Sequence, residues 1–124
     1  MKTHGLHKTE RLKSRKAIES LFREARKDYI YPIKMLWRYA DQPEEHVRMT
    51  VVVPKRRIKS AVKRNLVKRR MREAYRQNKH ILLKHLPEQD RKIEVLFLFQ
   101  SEKIVDYTHI ERSMKQLLSI LSDR

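Results

Sequence analysis

Residues 55–76, KRRIKSAVKRNLVKRRMREAYR, combine dense positive charge with a helical period, and the rest of the chain has to accommodate both. The stretch holds eleven Lys or Arg against one acid, Glu73, a local charge of +10 in 22 residues. A basic run is ordinarily a solvated tail or a linker. Wound at about 100° per residue, however, Val67, Met71, Ala74, Tyr75 and, further on, Leu82 fall on one stripe. Asn65, Lys68, Arg69, Arg72 and Arg76 fall roughly opposite. An apolar stripe of this kind marks a helix docked on a core. Ser60 is placed to cap it, Pro54 closes the preceding element, and the helix is predicted from 60 to about 84. The like charges on its outer face repel one another, and a polyanionic partner offsets that repulsion.

The whole chain repeats the imbalance. Thirty-one Lys and Arg against fifteen Asp and Glu leave +16 in 124 residues. A field of that sign is an argument about partners, with nucleic acid first and an anionic membrane surface second. No apolar run approaches the roughly 18 residues of a spanning helix, so no membrane partner is expected. The opening MKTHGLHKTERLK lacks an apolar signal core, and a cytoplasmic location is expected. With no cysteine there is no disulfide, no thiol nucleophile and no Cys-based zinc site. A single glycine cannot build a glycine-rich phosphate loop. The length suits one domain, 1–124, with one core, in which residues 1–12 form a flexible basic arm.

Taken in order, Ser14 can cap a helix over 14–26 in which Ile18, Leu21, Phe22 and Ala25 share a face. Residues 29–40 read as a strand, with Tyr31, Ile33, Met35, Trp37 and Tyr39 on one side and Lys34, Leu36 and Arg38 on the other. Asp41 to Glu45 form a turn. A second strand over 46–53 turns Val47, Met49, Val51 and Val53 one way and Arg48, Thr50 and Val52 the other. The short loop between these strands implies an antiparallel pair. Residues 85–90 break the basic helix. Residues 92–99 are apolar on both faces beyond Glu94, as an interior strand would be. Thr108 and Glu111 have capping-box spacing ahead of a last helix carrying Ile110, Met114, Leu117, Leu118 and Leu121. The order gives an α+β two-layer sandwich, one sheet with helices on its covered face.

Catalytic residues are hard to find. Glu44 and Glu45 are adjacent in a turn, and Asp90 and Glu94 lie in no pattern that buries them, so all four read as surface carboxylates. His80 and His85, five apart, do not stack on one helix face as metal ligands would. No serine sits in a nucleophile signature. What remains is binding. Arg offers paired donors to phosphate and Lys a point charge. Asn65 can read a base edge or fix a neighbouring Arg. Trp37, Tyr39 and Phe22 are candidate stacking platforms, each more typical of a core, while Phe97 and Phe99 read as core outright.

The segment around RNLVKRRMRE, residues 64–73, resembles the signature of the bacterial ribonuclease P protein component. Ala61, Val62, Arg64, Asn65, Lys68, Arg69, Arg72 and Glu73 match the family pattern at fixed spacing. RLKSRKAIESLF, residues 11–22, resembles the family's first helix. Leu66 stands where the family has a second Arg, Lys59 where many members have Gly, and Ile18 where many have an aromatic.

The resemblance implies an α-β-β-β-α-β-α order, similar to the ribosomal protein S5 domain 2-like fold, with a left-handed β-α-β crossover. It asks for a third strand before the basic helix, with a short one near Tyr29 and Ile30 as the candidate. It implies a non-catalytic subunit that assists an RNA subunit in removing the 5′ leader of precursor tRNA. The RNA subunit and the precursor tRNA are then the partners. The RNA-containing holoenzyme uses Mg2+, and the protein itself holds no cofactor. The docking set is Lys55, Arg56, Arg57, Lys63, Arg64, Asn65, Lys68, Arg69, Arg72 and Arg76. The leader set, in a cleft between the first helix and the open sheet face, is Phe22, Leu36, Arg38, Arg48 and Thr50. A ribosomal or other structural RNA-binding protein, a helix-turn-helix regulator and a protein-only nuclease are the competing readings. The strands over 29–53 disfavour the regulator and the missing carboxylate cluster disfavours the nuclease.

Overall fold

A computed structural model describes residues 12, 15–39, 47–83 and 92–123. Its elements are α1 (Arg15–Glu24), β1 (Arg26–Ile30), β2 (Ile33–Tyr39), β3 (Val47–Val52), α2 (Ala61–Asn78), α3 (His80–Leu83), β4 (Ile93–Phe99) and α4 (Tyr107–Ser122). The expected Ser14 cap, the turn over 41–45, the break over 85–90 and all of the arm but Leu12 lie outside the described residues.

The strands form one sheet in the order β1-β2-β4-β3. This corrects the expected hairpin of β2 with β3. The apolar strand β4 lies between them, antiparallel to β2 (Ile33 beside Phe99) and parallel to β3 (Val47 beside Ile93). Burial explains the insertion: all seven β4 residues are buried, as only a central strand with both faces covered can be. The hairpin that does form joins β1 and β2 through a turn with a cis Tyr31–Pro32 peptide. Tyr31 holds this turn against α4, where Ser113 Oγ donates to its carbonyl at 2.6 Å. β1 is the third strand before the basic helix.

Alternation along the strands decides the two faces. Ile33, Met35, Trp37, Val47, Met49, Val51, Ile93, Val95, Phe97 and Phe99 pack against α2 and α4 in the main core. Leu36, Leu96 and Leu98 point the other way and pack with Leu21 and Leu12. Helix α1 therefore lies on the second face, not with the other helices. Leu12 is itself pinned, its N–H donating to Met49 O at 2.7 Å on the outer edge of β3. Trp37 is wholly buried and serves the core, with Tyr39 edge-on to it.

Two helix ends also differ from expectation. α2 stops at Asn78, and α3 follows as a separate turn. The buried Asn78 amide donates to Ala74 O at 2.8 Å and to Glu111 Oε2 at 3.1 Å, so it ties the helix end to α4. The cap of α4 is Asp106, whose carboxylate accepts from His109 N at 2.9 Å, and Thr108 lies inside the helix. Glu111, expected to complete a capping box, is engaged by Asn78 and by the Tyr107 hydroxyl.

Candidate nucleic-acid interface

The basic helix begins where β3 has run out. Pro54 cannot extend a strand ladder, and its carbonyl accepts from the N–H groups of Arg57 and Ile58 in a tight turn. Ile58 is buried and fixes that turn to the core. Ser60 then caps, with extended backbone and its Oγ accepting from Lys63 N at 3.3 Å. From there Val67, Met71, Ala74, Tyr75 and Asn78 are buried, as the period requires, and Leu82 continues the contact from α3.

The outward side of α2 presents Asn65, Arg69 and Arg72 exposed, with Lys68 half-buried beside them. Lys55 and Arg56 stand exposed at the entrance. Among the described residues the side chains of Lys55, Arg56, Lys68 and Arg69 make no ion pair or hydrogen bond. Their charges are offered to solvent, where like charges gathered on one side raise the local potential.

Two other members of the predicted docking set, Arg64 and Arg76, are engaged within the protein. The Arg64 guanidinium donates to Ile58 O at 3.0 Å and to Lys59 O at 2.8 Å, locking the entrance turn onto the helix. Arg76 forms an ion pair with Glu73, three residues back. Arg57 is half-buried, and its Nε has no hydrogen-bond partner among the described residues. Lys63 is exposed, but it projects from a different side of the helix than Lys68 and Arg72. Arg70, outside the predicted set, donates to Val105 O at 2.8 Å and braces the loop before α4. Leu66 is half-buried beside the stripe.

The second region is the trough between α1 and the β3 side of the sheet. Arg38, Glu94 and Arg48 lie abreast on neighbouring strands, as do Leu36, Leu96 and Thr50. Phe22 is 42 % exposed at the rim, and Arg48 and Thr50 are half-buried along the floor. Leu36 is only 2 % exposed, covered by Leu21 of α1, and offers no surface to a ligand; its place is in the core. Arg38 donates through Nε to Glu94 Oε1 at 2.8 Å and also bonds Ser20 Oγ on α1. It therefore holds the helix to the sheet. Glu94, a buried acid on the trough floor, was not legible as part of the site, because its role depends on strands brought together from far apart in sequence. The same holds for exposed Tyr29, which shares its sheet face with Lys34 at the β1 edge.

Beside the apolar contact of α2 with α4 lies a half-buried polar cluster of Glu73, Arg76, Tyr107 and Glu111. Burial, reinforced by the charges of Glu111 and Glu73, pushes the Tyr107 phenol up to about 12. Among the described residues, no three His, Asp or Glu side chains are grouped to hold a metal ion. No described helix is long and apolar enough to cross a membrane.

Comparison with known proteins agrees with this geometry. A family model described as Ribonuclease P matches residues 6–122. The ribonuclease P protein component of Porphyromonas gingivalis is 38 % identical over 117 residues, covering 94 % of this chain and 85 % of the relative. Among solved structures, the RNase P protein of Staphylococcus aureus superposes with a TM-score of 0.71 at 18 % identity, over 90 % of this chain and 94 % of that one. The RNase P protein from Thermotoga maritima gives 0.71 at 22 % identity, over 90 % and 96 %.

Proposed function

Since the chain belongs to the ribonuclease P protein family, the protein component of a tRNA-processing ribonucleoprotein, we propose that it divides its surface between two RNAs. The exposed side of α2 docks on the ribonuclease P RNA subunit. The trough between α1 and β3 receives the single-stranded 5′ leader of precursor tRNA. The RNA subunit, with its own Mg2+, carries out the hydrolysis, and the work is done in the cytoplasm.

One observation carries this reading: the unpaired cations Lys68 and Arg69 stand on a helix whose opposite stripe is buried, with unpaired Lys55 and Arg56 at its entrance. Preorganised cations lower phosphate repulsion in a folded RNA without the ordering cost of a flexible tail. Arg64 assists as a positioning residue by fixing the entrance turn. In the trough, a phosphate backbone running past Arg48 would leave its bases against exposed Phe22 and the apolar floor, an arrangement of weak sequence preference.

The test is reconstitution with a bacterial ribonuclease P RNA and a precursor tRNA at low Mg2+. The protein is expected to restore 5′ cleavage and to cleave nothing by itself. Intact RNA binding without any stimulation would assign the chain to a purely structural RNA-binding role.

A further inference from the structure

Away from the α2 stripe, the turn before α2 and the loop between β4 and α4 flank an open cavity of about 580 Å3. Its lining is Arg57, Ile58, Lys59, Ser60, Lys63, Glu102, Lys103 and Ile104. Four of these are cations and one is an acid. Among the described residues the side chains of Lys59, Lys63 and Lys103 are unpaired, and the buried Nε of Arg57 also lacks a partner. Ile104 is 40 % exposed, a large apolar side chain set beside this charge, with buried Ile58 behind it.

We propose that this cavity holds one unstacked nucleotide of an RNA partner, a contact distinct from the α2 stripe. The proposal rests on the RNA-binding reading above and extends it to a third site. The cations account for a phosphate, which Lys59, Lys63 and Lys103 approach from two separate chain segments. A phosphate alone, the size of a few waters at about 30 Å3 each, would leave much of the space empty. The volume falls within the roughly 300–1,000 Å3 of small-ligand sites, enough for a base and its sugar but not for a duplex. Ile104 supplies the apolar surface on which a base face can rest. Glu102 accepts hydrogen bonds only, so it disfavours a second phosphate and suits a base edge bearing an amino group, such as that of cytosine.

Two substitutions separate a built site from diffuse charge. Lys103→Glu is expected to weaken RNA affinity severalfold and to reduce the slope of log K against log salt by about 1. Ile104→Ser is expected to weaken binding with the slope unchanged. Both are read in the full-length protein, first for the RNA subunit alone and then for precursor tRNA on the assembled holoenzyme. Loss in the first measurement assigns the nucleotide to the RNA subunit, and loss confined to the second assigns it to the substrate. An Ile104→Ser protein that binds both RNAs normally overturns the proposal. Lys68→Glu serves as the control for the α2 stripe. If it weakens binding while both cavity variants do not, the cavity fails and the docking face stands. If Lys68→Glu is also silent, the docking face fails with it.

Discussion

Both faces of the sheet are apolar beneath a helix, yet they are closed to different depths. Toward α2 and α4, the sheet places Trp37, Phe97 and Phe99 against Tyr75 and Met71, all wholly buried. Toward α1, a small group of leucines is sealed, and beyond it Arg48, Thr50 and Val52 remain half-exposed. Two long helices cover the first face and a ten-residue helix covers part of the second. The difference concentrates buried apolar surface on one face and leaves accessible surface on the other.

Truncation should expose that asymmetry most strongly. Phe97→Ala is expected to cost about 3–5 kcal/mol, measured by urea unfolding, because a ring is removed from the closed face. Leu21→Ala falls toward the lower end of the roughly 2–5 kcal/mol Leu→Ala range, because α1 can settle onto the remaining leucines. Equal losses would remove the distinction between the faces. Glu94→Ala comes next. Arg38 would lose a charged hydrogen-bond partner worth about 1.5–3 kcal/mol, and the effect should appear first as faster amide exchange in α1. Slower or unchanged exchange there would mean that Arg38 does not hold the helix.

Asp106→Ala is expected to cost about 1 kcal/mol through the lost cap of α4, and Thr108→Ala much less. The reverse ranking would restore the capping box. The smallest effect is pH dependence at Tyr107. The Tyr107 phenol is held neutral in the fold, from an ordinary 10.0 up to about 12. Its contribution is complete below about pH 10 and fades as pH rises through 12, the direction expected when the native state binds the extra proton. A Tyr107→Phe protein should lack that component of the alkaline decline, as followed by thermal melts against pH.

Which residues share each face of the sheet was largely legible in the sequence, and the pairing of the strands was not. The stripe of Val67, Met71, Ala74 and Tyr75 and the alternation through β2 and β3 are local periodicities, and a period reports which side is buried. Pairing is not local. Nothing in residues 46–53 says that β4, forty residues further on, will take the place beside β2. β1, with the sequence RKDYI, has no buried residue, so an edge strand of this kind leaves no apolar pattern to read. Within the site, the exposed Asn65, Arg69 and Arg72 follow from the helical wheel. That Arg64 turns back to Ile58 and Lys59 depends on the path of the preceding turn, which no periodicity encodes. Leu36 was placed on the correct face, but its cover by Leu21 depends on where α1 docks. Lys103 and Ile104 sit in a loop without pattern, and only the fold brings them beside Lys59 and Lys63.

The insertion of β4 has a temporal consequence. Until residues 93–99 have been synthesised, β2 and β3 have no common partner, and α2 has no Phe97 or Val95 to rest on. The chain must therefore bring together segments distant in sequence before either proposed RNA-binding surface exists, the kind of topology that folds slowly. A nascent chain released before β4 would carry the full positive charge of residues 55–76 with no rigid helix to present it. Such a fragment should attract RNA without selecting it.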